Sequence, residues 1–110
     1  MAEGMMLADK AAYDKILEES NNKLVVIDFT ATWCPPCQMI GPKFVALSED
    51  AAYKDKAIYK KCDVDANKEA SEAAGIQCMP TFKFYKGGKE VDKLEGANEA
   101  KLKELIDKNA

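Results

Sequence analysis

The strongest constraint on the fold is a junction between an apolar run and a helix start that contains two prolines. Residues 24–29 read Leu-Val-Val-Ile-Asp-Phe, and such a nearly continuous apolar run suits a strand covered on both faces of a sheet. The segment Cys34-Pro35-Pro36-Cys37 follows shortly after. Proline is tolerated early in a helix because the first N–H groups have no partner there. We therefore predict a buried strand that leads into a helix starting at or just after Cys34.

The rest of the chain alternates between helical and extended patterns. Asp and Asn residues stand where helix caps are expected, and paired glycines stand between two alternating segments. The predicted elements are, in order, a helix capped by Asp9, the strand at 24–29, a helix from Cys34 to about Ala52, a strand at 57–64, a helix from Asn67 to about Ala74, strands at 81–85 and 90–94 joined by Gly87-Gly88, and a helix capped by Asn98.

This order predicts an α/β fold whose central mixed sheet is flanked by helices. Parallel crossovers come first and an antiparallel hairpin comes last. A chain of 110 residues suits one domain with its own core, so we expect residues 1–110 to form a single domain. The inner face of the long helix is predicted to consist of Met39, Ile40, Phe44 and Leu47.

The charged residues exclude several classes of function. All 16 basic residues are lysine, and the chain has no histidine. The absence of histidine removes Ser-His and Cys-His catalysis and imidazole metal ligands. The absence of arginine, with a net charge of −3, argues against nucleic-acid binding. We therefore expect no nucleic-acid partner. No apolar run approaches membrane-spanning length, so we expect no membrane partner either.

The opening residues and the cysteines indicate an intracellular setting. The first seven residues lack the basic region and apolar core of a signal peptide, so we expect the protein to stay in the compartment where it is made. The four cysteines are unevenly spaced, and two of them form a Cys-x-x-Cys motif. That pattern favours catalysis or metal binding over a disulfide framework.

The Cys-x-x-Cys motif at a helix start suits thiol chemistry. The amides and dipole at this end of the helix favour a thiolate at Cys34, and the thiolate is the nucleophile in disulfide exchange. Cys37 lies about one turn further on, so its sulfur can reach Cys34 and resolve a mixed disulfide. Because Pro35 and Pro36 have no N–H group, the amide of Cys37 becomes the main local donor to the Cys34 sulfur.

The same motif is also half of a structural zinc site. The other half would have to come from Cys62 and Cys78, which are separated by a predicted helix, and no histidine can substitute. We therefore favour a redox pair without metal. Cys62 alternates with Ile58 and Val64, so we predict a buried thiol that behaves as a small apolar side chain.

Three further residues have both a functional and a structural interpretation. Asp28 lies inside the predicted buried strand, where burial should raise its pKa. It would then accept a proton when Cys37 attacks, unless it stands at a strand end and faces water. Pro80 marks a strand start or, less commonly, a cis peptide bond. Trp33 is either part of the core or a half-exposed platform for partners.

The run from Val26 to Cys37, followed by Met79-Pro80-Thr81-Phe82, resembles the thioredoxin family. The resemblance extends from about Leu7 to Ile106 and implies the thioredoxin fold. It implies that Cys34 is the attacking cysteine, Cys37 the resolving cysteine and Asp28 the buried acid. It also implies that the peptide bond before Pro80 is cis and that Lys61 pairs with Asp28. It also implies a substrate groove bordered by Trp33, Pro35, Pro36, Met79, Gly96 and Ala97.

The same resemblance implies a thiol–disulfide oxidoreductase that reduces protein disulfides and holds no bound cofactor. Electrons would come from NADPH through a flavin thioredoxin reductase, and the substrates would be peroxiredoxin-like and reductase-like proteins. We expect a cytoplasmic protein, with entry into the nucleus left open. An oxidant or isomerase with the same fold, and a binding module with incidental redox activity, are the alternatives.

Two positions depart from the family pattern. The usual Cys-Gly-Pro-Cys is here Cys-Pro-Pro-Cys, and the residues between the cysteines tune the redox potential. Cys78 resembles a non-catalytic cysteine of several animal thioredoxins. We expect a monomer that oxidation links into a homodimer through Cys78; the alternative is a free, unreactive thiol.

Overall fold

A four-stranded mixed sheet with two helices on each face organises the computed structural model, which describes residues 5–110. Residues 1–4, part of the predicted domain and of its opening segment, lie outside the described residues. No helix within residues 5–110 is both long and apolar enough to cross a membrane. The elements are α1 (Lys10–Glu19), β1 (Val25–Thr30), α2 (Pro35–Glu49), β2 (Ile58–Asp63), α3 (Lys68–Ala74), β3 (Thr81–Lys86), β4 (Lys89–Glu95) and α4 (Glu99–Asn109).

The strand order is β2-β1-β3-β4, which confirms the predicted mixed sheet and its C-terminal hairpin. β1 and β2 are the parallel pair, connected by α2, and β3 runs antiparallel to β1 and β4. The carboxyl ends of β1 and β2 therefore meet the start of β3 at one edge. Gly87 and Gly88 form the hairpin turn with φ of 67° and 81°, a left-handed conformation that favours glycine.

Alternating residues of the strands supply two separate cores. Val26, Phe82 and Phe84 face α2 and α4, and they pack with Phe44 and Leu102. The other face of the sheet packs against α1 and α3 through a second set of buried residues, which includes Tyr13, Ile16, Ile27, Phe29, Cys62 and Ala70. Asp28 lies two residues after Val26 in β1, so its side chain is on the same face of the sheet and points toward α2.

The start of α2 is as predicted, and one residue of its inner face is not. Cys34 is the N-cap and the two prolines occupy the first two helical positions. Ile40, Phe44 and Leu47 are buried as expected. The assignment of Met39 to the inner face is wrong: the side chain is 55% exposed, because one residue of helix turns it about 100° away from Ile40.

The segment before α1 covers an edge of the sheet, a contact that the sequence pattern did not predict. Met6 forms an isolated parallel bridge with Lys61. The Lys61 amide donates to the Met5 carbonyl, and the Leu7 amide donates to the Lys61 carbonyl, each at 2.8 Å. This short stretch gives β2 a hydrogen-bonded neighbour on its outer side, which an exposed edge would lack.

Candidate active site

Cys34 and Cys37 form a disulfide at the N-terminus of α2, with their Cα atoms 5.2 Å apart. Both side chains are buried, and Val64 and Met79 pack against them. The amide of Cys37 donates to Cys34 Sγ at 3.3 Å, as the two prolines predicted. The first turn of α2 therefore directs its free N–H group at the sulfur where negative charge develops on reduction.

The loop before Cys34 is held by one carbonyl group. The Ala31 oxygen accepts from the Cys34 amide at 3.3 Å and from Gln38 Nε2 at 2.9 Å. Gln38 is the residue after Cys37. Its side chain thus connects the first turn of α2 to the end of β1, a link that residue spacing did not indicate.

Asp28 lies in β1 with no exposed surface, and neither of its carboxyl oxygens has a hydrogen-bond partner within residues 5–110. Burial raises the pKa of Asp28 to about 7, and the positive charge of Lys61 opposes part of that rise. The absence of exposed surface on Asp28 confirms the buried placement and excludes the solvent-facing alternative. The carboxyl group therefore changes protonation near neutral pH, which is the range where a general acid or base is most useful.

Lys61 lies directly beside Asp28 in the parallel pair of strands. Its ammonium makes no hydrogen bond with the carboxyl group, and it lowers the pKa of that group through its charge. The pairing expected from the family resemblance is therefore a through-space charge interaction and not a direct contact.

The opposite side of the site is the chain before β3. The Met79–Pro80 peptide bond is cis. Pro80 is buried, and the preceding Met79 packs against the disulfide. The Gly96 amide donates to the Pro80 carbonyl at 2.9 Å, which brings the end of β4 to the same place. Ala97 is half-buried next to Gly96, so the predicted groove residues of both loops meet at one edge of the sheet.

Trp33 forms the most exposed apolar part of this edge, with 64% of its surface accessible. Its Nε1 donates to Asp65 Oδ2 at 2.7 Å. The sequence motif pointed to Trp33 as a site residue but not to Asp65. The signal was available, because parallel neighbours β1 and β2 place the residues that follow them at the same edge.

The two remaining cysteines differ in accessibility. Cys62 is fully buried among the residues beneath α1 and α3, and burial raises the pKa of its thiol to about 11. Cys78 is exposed, with its Sγ 3.9 Å from Thr81 Oγ1. Among the residues that the structure describes, no group of three or more His, Cys, Asp or Glu side chains could hold a metal ion.

Comparison with known proteins gives one consistent result. A sequence model of the Thioredoxin family matches residues 4–108. The thioredoxin of Geodia cydonium is 54% identical over 104 residues, which cover 94% of this chain and 95% of that protein. The structure of Fasciola hepatica thioredoxin superposes with a TM-score of 0.89 at 42% identity, covering 96% of this chain and 99% of that one. A yeast chain from a structural account of thiol resolution in mitochondrial 1-Cys peroxiredoxin by the glutathione and thioredoxin systems has a TM-score of 0.84 at 33% identity, covering 94% and 93%.

The fold and the cysteine pair at the start of α2 define a dithiol–disulfide oxidoreductase. Disulfide exchange needs only the two sulfur atoms and a means of moving protons, and no prosthetic group. Because the family match extends over almost the whole chain, the chain belongs to the thioredoxin family.

Proposed function

We propose that the protein works as a reductant of protein disulfides, with Cys34 as nucleophile. The Cys34 thiolate attacks one sulfur of a target disulfide, and the other target sulfur leaves as a thiolate and takes a proton. The observation that carries this assignment is the Cys37 amide, which points at Cys34 Sγ from the first turn of α2. The helix dipole and this donor stabilise the thiolate at Cys34.

Cys37 completes the reaction. Its thiol loses a proton, attacks Cys34 Sγ and releases the second target sulfur, which leaves the Cys34–Cys37 disulfide seen here. The target gains two electrons and two protons in total. We assign the proton acceptor to Asp28, because it is buried, lacks hydrogen-bond partners within residues 5–110 and has a pKa of about 7. Lys61 acts on this step only through its charge.

The substrate is proposed to bind along the edge formed by Trp33, Met79 and Gly96. Within the described residues, no hydrogen bond uses the backbone N–H or carbonyl of Met79. These free groups suit an extended target segment that adds to the chain like a strand. Pro35, Pro36 and Ala97 would border the same groove, and the exposed indole of Trp33 offers it an apolar surface.

The remaining assignments concern partners and location. We propose that a thioredoxin reductase using NADPH restores the dithiol, and that peroxiredoxin-like and reductase-like proteins are substrates. The peroxiredoxin context of one structural neighbour supports this choice. We place the reaction in the cytoplasm, where thiols are kept reduced.

The reduction potential of the Cys34–Cys37 pair tests the proposed direction of electron flow. It should be measured against glutathione or a reference dithiol in a Cys62→Ser/Cys78→Ser background, which leaves one redox couple. A value near about −270 mV, typical of thioredoxin, supports a reductant. A value of about −180 mV or higher would instead indicate an oxidant or isomerase.

A further inference from the structure

Gly41 lies on the buried side of α2, four residues after Cys37, and leaves space for the Lys61 side chain. A Cβ atom at this position would lie 3.3 Å from Lys61 Nζ, inside ordinary van der Waals contact. The backbone of Gly41 does not have a positive φ, so its conformation does not require glycine. Glycine inside a helix is also about 1 kcal/mol less favourable than alanine. The close approach of the ammonium is therefore the contact that a side chain at residue 41 would disturb.

The backbone of Lys61 is fixed, so only its side chain can yield. Hydrogen bonds hold Lys61 to Met5 and Leu7 on one side, and β1 pairs with it on the other. Lys61 lies two residues after Tyr59 in β2, so the two side chains are on the same face of the sheet. Tyr59 packs against Phe44 of α2. A group placed at Gly41 would therefore displace the ammonium and leave the strand in position.

The ammonium of Lys61 is the charge that acts on Asp28. Phe82, the partner of Asp28 in β3, is apolar. Tyr59 faces the same helix, and burial keeps the pKa of its hydroxyl above the usual range, so it stays neutral. The sheet-facing side of α2 contributes Cys37, which is in a disulfide here. Among the described residues of the oxidised protein, Lys61 is thus the charged group that acts on Asp28.

We propose that Gly41 is a positioning residue. Because it has no side chain, the Lys61 ammonium can lie against α2, on the side of the sheet where Asp28 is buried. A methyl group at residue 41 would require the ammonium to move by a few tenths of an ångström, and this movement is toward water because movement into the dry surroundings of Asp28 carries a desolvation cost. The charge then acts less strongly on the carboxyl group. The importance of this arrangement for disulfide exchange rests on the proposed role of Asp28.

The test is a carboxyl carbon NMR titration of Asp28 in four oxidised proteins, namely the parent, Gly41→Ala, Lys61→Met and the double variant. The disulfide removes Cys37 from the titration. We expect Gly41→Ala to raise the pKa of Asp28, and we expect the same substitution to have no effect once Lys61 is methionine. An unchanged Asp28 pKa in Gly41→Ala, or an equal rise in the Lys61→Met background, would overturn the proposal.

One control variant and one rate measurement complete the test, and the rate measurement separates this proposal from the proposed function. Lys43→Met removes an exposed charge from α2 that pairs with Glu99 at 3.5 Å, and it should leave the Asp28 titration unchanged. The pH dependence of disulfide reduction is then compared in the parent and in Gly41→Ala. If the Asp28 pKa rises and the rate profile does not follow, Asp28 is not the proton acceptor, and the positioning role of Gly41 stands.

Discussion

The carboxyl group of Asp28 connects stability to pH at the scale of a single residue. Burial raises its pKa to about 7, whereas an aspartate in an unfolded chain titrates near about 3.9. Between these pH values the folded state keeps a proton that the unfolded state has lost. Stability therefore falls as pH rises through this range and levels off above it.

Asp28→Asn should remove this dependence. From pH 5 to pH 8 we expect the parent to lose about 2–3 kcal/mol more unfolding free energy than the variant, since one proton contributes about 1.4 kcal/mol per pH unit. Urea unfolding of both oxidised proteins at the two pH values measures the difference. Equal pH dependence in the two proteins would show that Asp28 is already ionised at pH 5 in the folded state.

The accessibility of the thiols predicts their reactivity. In the reduced protein we expect iodoacetamide to label Cys78 quickly because it is exposed, and Cys34 quickly because the start of α2 stabilises its thiolate although the side chain is buried. Cys62 should react only when the protein opens, because it is fully buried and its pKa is raised to about 11. Peptide mapping by mass spectrometry at successive times measures the order. Labelling of Cys62 at the rate of Cys78 under native conditions would contradict the buried placement.

At the scale of elements, one side chain both caps α3 and holds the chain before α1. Asn67 Oδ1 accepts from the Ala70 amide at 3.3 Å, and its Nδ2 donates to the Leu7 carbonyl at 3.1 Å. Asn98 caps α4 in the same way and is exposed. We expect Asn67→Ala to cost about 2–3 kcal/mol and Asn98→Ala about 1 kcal/mol, because only the first leaves a buried carbonyl unpaired. Urea unfolding measures both, and equal losses would mean that the Leu7 contact contributes nothing.

The elements show which features a single sequence can predict. The start of α2 follows from local rules, since proline and an N-capping side chain act within one turn. The contact between Met6 and Lys61 was missed because a single bridge has no periodicity. The assignment of Asp28 as a buried acid was possible because its neighbours in sequence are apolar. The closeness of Gly41 to Lys61 depends on how a helix packs on a sheet, which one sequence does not specify.

For the whole molecule, the oxidised state leaves only two free thiols within residues 5–110, and they have different access to a second copy. Cys62 is buried and Cys78 is exposed next to Met79 and Pro80. A disulfide between two Cys78 residues would place another copy of the chain over the proposed substrate groove. Oxidation would then control both the oligomeric state and the access of targets.

We therefore expect hydrogen peroxide to convert the oxidised monomer into a disulfide-linked dimer. Each pair of Cys78 thiols gives up two protons and two electrons, which reduce the peroxide to water. Non-reducing gels should show the dimer in the parent and in Cys62→Ser, and none in Cys78→Ser. Dithiothreitol should restore the monomer and its ability to reduce a disulfide substrate. Equal amounts of dimer in Cys78→Ser and the parent would contradict the prediction, and a parent that stays monomeric would identify Cys78 as an exposed but unreactive thiol.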